Sequence, residues 1–97
     1  VAALFLYLLK GLDIMAQPEG SLDKKWYDEG YEEGRRFALN EADYDELAAI
    51  YRARGIPKNW DIYRAEILNK HLGNKRFDFK AYAAGFARAC IEVFEKI

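Results

Sequence analysis

From Ser21 onward, apolar positions recur at intervals of three and four, the period of helices that each bury one face. In the first such segment Leu22, Trp26, Tyr27, Gly30, Tyr31, Gly34, Phe37 and Ala38 share one arc. Lys25, Asp28, Glu29, Glu32, Arg35 and Arg36 share the opposite arc. Ser21 is placed to cap this helix, Asp23 suits the positive end of its dipole, and the pattern runs to about Leu39. Lys24–Asp28, Lys25–Glu29 and Glu32–Arg36 stand four apart, the spacing of ion pairs along a helix.

The sequence Asp43-Tyr44-Asp45-Glu46 is close to a capping box. It predicts a second helix with Tyr44, Leu47, Ala48, Ile50 and Tyr51 inward. Gly55 fits the left-handed position that ends such a helix, and Pro57 blocks its continuation. Asn59 fits the cap of a third helix with Trp60, Tyr63, Ile67, Leu68 and Leu72 inward, closed by Gly73. Asp78 fits the cap of a fourth, from Phe79 to about Lys96, with Phe79, Tyr82, Phe86, Ala89, Cys90, Val93 and Ile97 as its apolar set. No segment alternates strictly between apolar and polar, so strands are not expected. The prediction is an all-α chain: a compact bundle of four helices with short connections, forming one domain over residues 21–97.

Residues 1–20 read as an apolar segment and a linker. Ala2 to Leu9 is an unbroken apolar run, too short for the roughly 20 residues of a membrane-spanning helix. It is expected to form a short apolar helix ending at Gly11. A leader remnant, or upstream sequence ahead of Met15 as the natural start, are the alternatives.

One pattern goes beyond amphipathicity. Gly30, Gly34, Ala38 and Ala42 recur every four residues, as do Ala81, Gly85, Ala89 and Val93. The flanking aromatics match as well: Tyr27-x-x-Gly30-Tyr31-x-x-Gly34 aligns with Tyr82-x-x-Gly85-Phe86-x-x-Ala89 at a constant offset of 55 residues. Glycine inside a helix costs about 1 kcal/mol relative to alanine, so these glycines call for a compensating gain. Close approach of two helix axes supplies one. Either the first and fourth helices meet inside one domain, or a stripe faces its own copy in a homodimer. Gly30, Tyr31, Gly34, Gly85, Phe86 and Ala89 are therefore the candidate interaction residues.

Charge changes the picture next. The formal net charge of −1 is a cancellation. Residues 1–48 carry five basic and eleven acidic groups, a balance of −6, and residues 49–97 carry ten basic and five acidic, a balance of +5. The basic half interleaves Arg52, Arg54, Lys58, Arg64, Lys70, Lys75, Arg76 and Lys80 with Trp60, Tyr63 and Phe77, a combination that suits phosphates and stacked bases. The alternative reading is thus a nucleic-acid-binding domain using Arg54, Lys58, Lys75 and Arg76. A pI near 5.9 argues against it, since dedicated nucleic-acid domains lie above about 9.

Reactive chemistry is sparse. His71 and Cys90 are the sole members of their kinds, and no Zn-ligand spacing, Glu-x-x-His pair or phosphate-binding glycine loop occurs. His71 reads as a C-terminal helix stabiliser and Cys90 as a buried thiol. No enzyme activity, metal or cofactor is expected. Lack of internal disulfides and of a complete leader fits a cytoplasmic chain without a membrane span. The function that the sequence supports is a small protein-interaction or structural module, its partner a second copy in a homodimer or another protein.

Overall fold

The structure, a computed structural model, describes residues 22–97; the apolar segment 1–20 and the Ser21 cap lie outside them. Four helices follow in order: α1 (Leu22–Asn40), α2 (Tyr44–Ala53), α3 (Asp61–Lys70) and α4 (Phe79–Glu95). Among the described residues there are no strands, and no helix is long and apolar enough to cross a membrane. The chain is an all-α bundle with short connections.

Local chemistry sets most of the helix ends. The capping box at α2 is complete: Glu46 N–H donates to the Asp43 carboxylate at 2.8 Å, and Asp43 N–H donates to the Glu46 carboxylate at 3.0 Å. Asp78 caps α4 by accepting from Ala81 N–H at 3.1 Å. Gly73 takes a left-handed φ of 92° beyond α3.

Two caps differ from the sequence reading. α2 closes on Arg54, not Gly55: Arg54 itself is left-handed, at φ 55° and ψ 34°, and donates its N–H to the Ile50 carbonyl. A non-glycine residue there costs about 1–2 kcal/mol. Its guanidinium lies 4.3 Å from the centre of the Tyr51 ring, a cation–π contact that offsets part of that cost. At α3 the cap position belongs to Trp60, which makes no side-chain capping bond, so Asn59 does not serve.

α1 and α4 form the main seam and run in the same direction. Near their starts, the Asp78 carboxylate lies against Asp23 and raises its carboxyl above the ordinary 3.8, and the rings of Trp26 and Phe77 meet edge to face at 5.1 Å. The core lies on one side of this pair. Phe86 and Ile50 are fully buried, with Phe37, Ile56, Ile67 and Tyr82 around them. Phe37 touches Phe86 at 5.3 Å between ring centres and Tyr63 at 5.6 Å, so aromatic contacts join α1, α3 and α4.

The expected inward set needs correction at four positions. Tyr44 is 60% exposed, with one face against the Phe94 ring; Ile97 lies past the end of α4. Leu68 faces solvent, because α3 carries apolar residues on both sides and can bury only one; Leu72 is exposed past the end of α3. The buried side holds Ile67 and the half-buried Tyr63.

Candidate functional site

The glycine stripe is used inside the chain. A Cβ placed on Gly30 would stand 2.0 Å from the Tyr82 carbonyl oxygen, and one on Gly85 would stand 2.0 Å from the Tyr27 carbonyl oxygen. These two contacts are the same contact under the 55-residue offset of the repeat. Each glycine opposes the carbonyl of the aromatic that begins the other motif. α1 and α4 are therefore related by an approximate two-fold axis parallel to the helices. Gly34 continues the seam, its would-be Cβ lying 2.4 Å from the Phe86 carbonyl oxygen. Where a Cβ would collide, a glycine Cα–H reaches the carbonyl instead, a contact worth about 0.5–1 kcal/mol that recurs between close helices.

Of the candidate interaction residues, Gly30, Gly34, Gly85, Phe86 and Ala89 are all buried in this intramolecular seam. A second copy could reach them only by displacing α4 from α1. Tyr31 sits at the seam's edge and is half-buried, donating its hydroxyl to Glu92, which also accepts from Arg88 Nε at 2.9 Å. Burial opposes ionisation of Glu92, but the Tyr31 and Arg88 hydrogen bonds together hold its carboxyl below the ordinary 4.5. The same bond to Glu92, with burial, pushes the Tyr31 hydroxyl above 10.0. The stability contributed by Glu92 is complete above 4.5 and disappears as pH falls through the lower folded value. Tyr31→Phe should cost about 1 kcal/mol at neutral pH and progressively less well below 4.5, measured by urea unfolding at the two pH values. An equal loss at both would mean that the hydroxyl does not act through the ionised carboxylate.

No protein-family model, curated protein or solved structure matches the chain.

His71 lines a cleft of about 410 Å³ between α1 and α3, with Glu29, Glu32, Glu33, Arg36, Lys70 and Tyr82. Its Nδ1 lies 3.0 Å from the Ile67 carbonyl; a carbonyl only accepts, so Nδ1 carries the proton. The ring stacks on Phe77 with centres 3.9 Å apart, and its other neighbours are Trp26 and Tyr82. This is a side chain that ends α3 and fills an aromatic cluster. Of the cleft's carboxylates Glu33 is paired with Arg36, which also bonds Glu41 outside the cleft. Among the described residues no group of three or more His, Cys, Asp or Glu is placed to hold a metal ion. Cys90 is fully buried, its Sγ 3.5 Å from the Gly34 carbonyl, and burial pushes the thiol up to about 12. None of the contacts described for His71 and Cys90 joins the two.

The basic residues divide. Arg54 lines a second cleft, of about 410 Å³, with Arg64 and Lys80. Lys58, Lys75 and Arg76 are exposed but do not line it. Arg64 and Lys80 are not among the expected contacts, because nothing local in the sequence tells which of eight scattered cations line one cleft.

The largest apolar exposure among the described residues is on α3 and the turn after it. Ile62, Ala65 and Leu68 follow at intervals of three on the side of α3 away from the core, and Leu72 lies exposed just past the helix end. Ile62 is 78%, Leu68 48% and Leu72 80% exposed.

Proposed function

We propose that this chain is a small helical protein-interaction module that self-associates through the outer face of α3. The observation that carries this reading is the two-sided character of that helix. A helix apolar on both sides has a second partner or wastes the second face, since such helices are otherwise found buried. Single exposed apolar residues need no explanation; an aligned set on one helix does.

The face is self-complementary. In an antiparallel pairing about a two-fold axis at Ala65, Ile62 of one copy meets Leu68 of the other, and the small Ala65 side chains meet at the point of closest approach. Asp61 then lies opposite Asn69, whereas a parallel pairing would set Asp61 against Asp61. Antiparallel helix dipoles also attract. Three large apolar side chains per copy make a patch below the standard interface of about 1,200–2,000 Å², so the dimer is transient and concentration-dependent. The seam between α1 and α4 stays intact in this assembly. The module needs no catalytic group, in keeping with the roles of His71 and Cys90 as packed side chains.

The test is sedimentation equilibrium over a wide concentration range. Wild type should pass from monomer to dimer, and Ile62→Glu combined with Leu68→Glu should stay monomeric with an unchanged melting temperature. A wild-type chain that remains monomeric throughout, or a double variant that still dimerises, sinks the proposal.

A further inference from the structure

We infer that the cleft between the α2–α3 turn and the start of α4 is a binding site for a small phosphate monoester with an apolar body. Arg54, Arg64 and Lys80 line it together with Phe79, Ala83 and Ala84. At about 410 Å³ it falls in the ordinary size range of small-molecule sites. No carboxylate lines it. Among the described residues none of the three cations takes part in an ion pair. Lys80 helps to stabilise the charge of Asp78, whose carboxylate is engaged in capping α4.

Arg64 is held in place before any ligand arrives. Arg64 donates from Nη1 to the Ile56 carbonyl at 3.4 Å and lies 4.9 Å from the centre of the Phe79 ring. Arg54 has a left-handed backbone, and its guanidinium rests beside the cleft on the Tyr51 ring, from which it has to swing to meet a ligand. Each guanidinium has five N–H donors, so most remain for a ligand, in a fork that matches phosphate and carboxylate oxygens. Three cations favour the phosphate. A phosphate monoester carries about −1.5 to −2 at neutral pH, against −1 for a carboxylate, and offers three acceptor oxygens. Ala83 and Ala84, half-buried and small, leave room for an apolar group beside the charged rim.

Phenyl phosphate is the probe, followed by NMR titration of the whole chain at low salt. The amides of Phe79, Ala83 and Ala84 should shift saturably, and the dissociation constant should rise as pH falls below about 6, where the dianion takes up a proton. Arg54→Asn with Lys80→Gln should weaken binding at least about tenfold with the fold retained, because asparagine tolerates the left-handed backbone. The pH dependence in wild type tests the same idea if that variant fails to fold. Four results overturn it: no saturable shift at millimolar ligand, equal shifts with phenol, unchanged affinity in the folded double variant, or tighter binding of a short oligonucleotide with shifts spreading to Lys58, Lys75 and Arg76.

Discussion

Gly30→Ala and Gly85→Ala should each destabilise the chain by about 3 kcal/mol in urea unfolding, the upper part of the overpacking range. At an exposed helix position the same change stabilises by about 1 kcal/mol, so the sign itself decides between the two settings. The reason is the neighbour. Each new methyl would stand 2.0 Å from a main-chain carbonyl oxygen, and a carbonyl within a helix cannot rotate aside as a flexible side chain can. α1 and α4 would have to separate along the whole seam, loosening the Tyr31–Glu92 bond as well. Gly55→Ala is the control: its Cβ would meet only the Ala53 carbonyl oxygen, at 3.9 Å, so no loss is expected. A Gly85→Ala protein as stable as wild type would contradict the seam.

Phe86→Ala should cost about 4 kcal/mol by the same measurement, within the range for emptying a buried phenylalanine site. Phe86 is 0% exposed, and its ring bridges Phe37 on α1 and Tyr63 on α3. The cavity left behind has stiff aromatic walls on two other helices, which limits collapse. Since Gly34 opposes the Phe86 carbonyl, Gly34→Ala and Phe86→Ala together should depart from the sum of their separate effects. A loss under about 1 kcal/mol for Phe86→Ala would mean that the core is not organised around this ring.

These residues also show what is legible in the sequence alone. The repeat was legible because interior helix glycines carry a cost, and two aromatic-flanked copies of one pattern point to a shared partner. Which partner was not legible. A stripe suited to meeting a copy of itself meets one here within the same chain, and only the placement of α4 beside α1 decides that. Asp43 and Asp78 were legible as caps because capping acts over three residues. Arg54 was not, because the local preference for glycine at a left-handed position favours its neighbour Gly55.

Leu68 and Leu72 show a second limit. Spacing puts apolar residues on faces but cannot rank two apolar faces of one helix, and the core took the side with Tyr63 and Ile67. The Tyr31–Glu92 bond spans 61 residues and left no local trace. The cation cleft likewise joins Arg54, Arg64 and Lys80 from three parts of the chain. In each case a tertiary arrangement did the selecting. The charge division between the two halves was legible; that Arg36 binds Glu33 and Glu41 rather than Glu32 was not, since a helix surface offers several partners of similar energy.

The central claim is that the two copies of the repeat pair with each other inside one chain. It is tested most directly by isotope-filtered NMR on a mixture of labelled and unlabelled protein. Contacts from the Gly30 α-protons to Tyr82 and from the Gly85 α-protons to Tyr27 should appear within labelled chains and be absent from the spectrum selective for contacts between chains. Their appearance only between chains would contradict the account and make the glycine stripe the dimer interface.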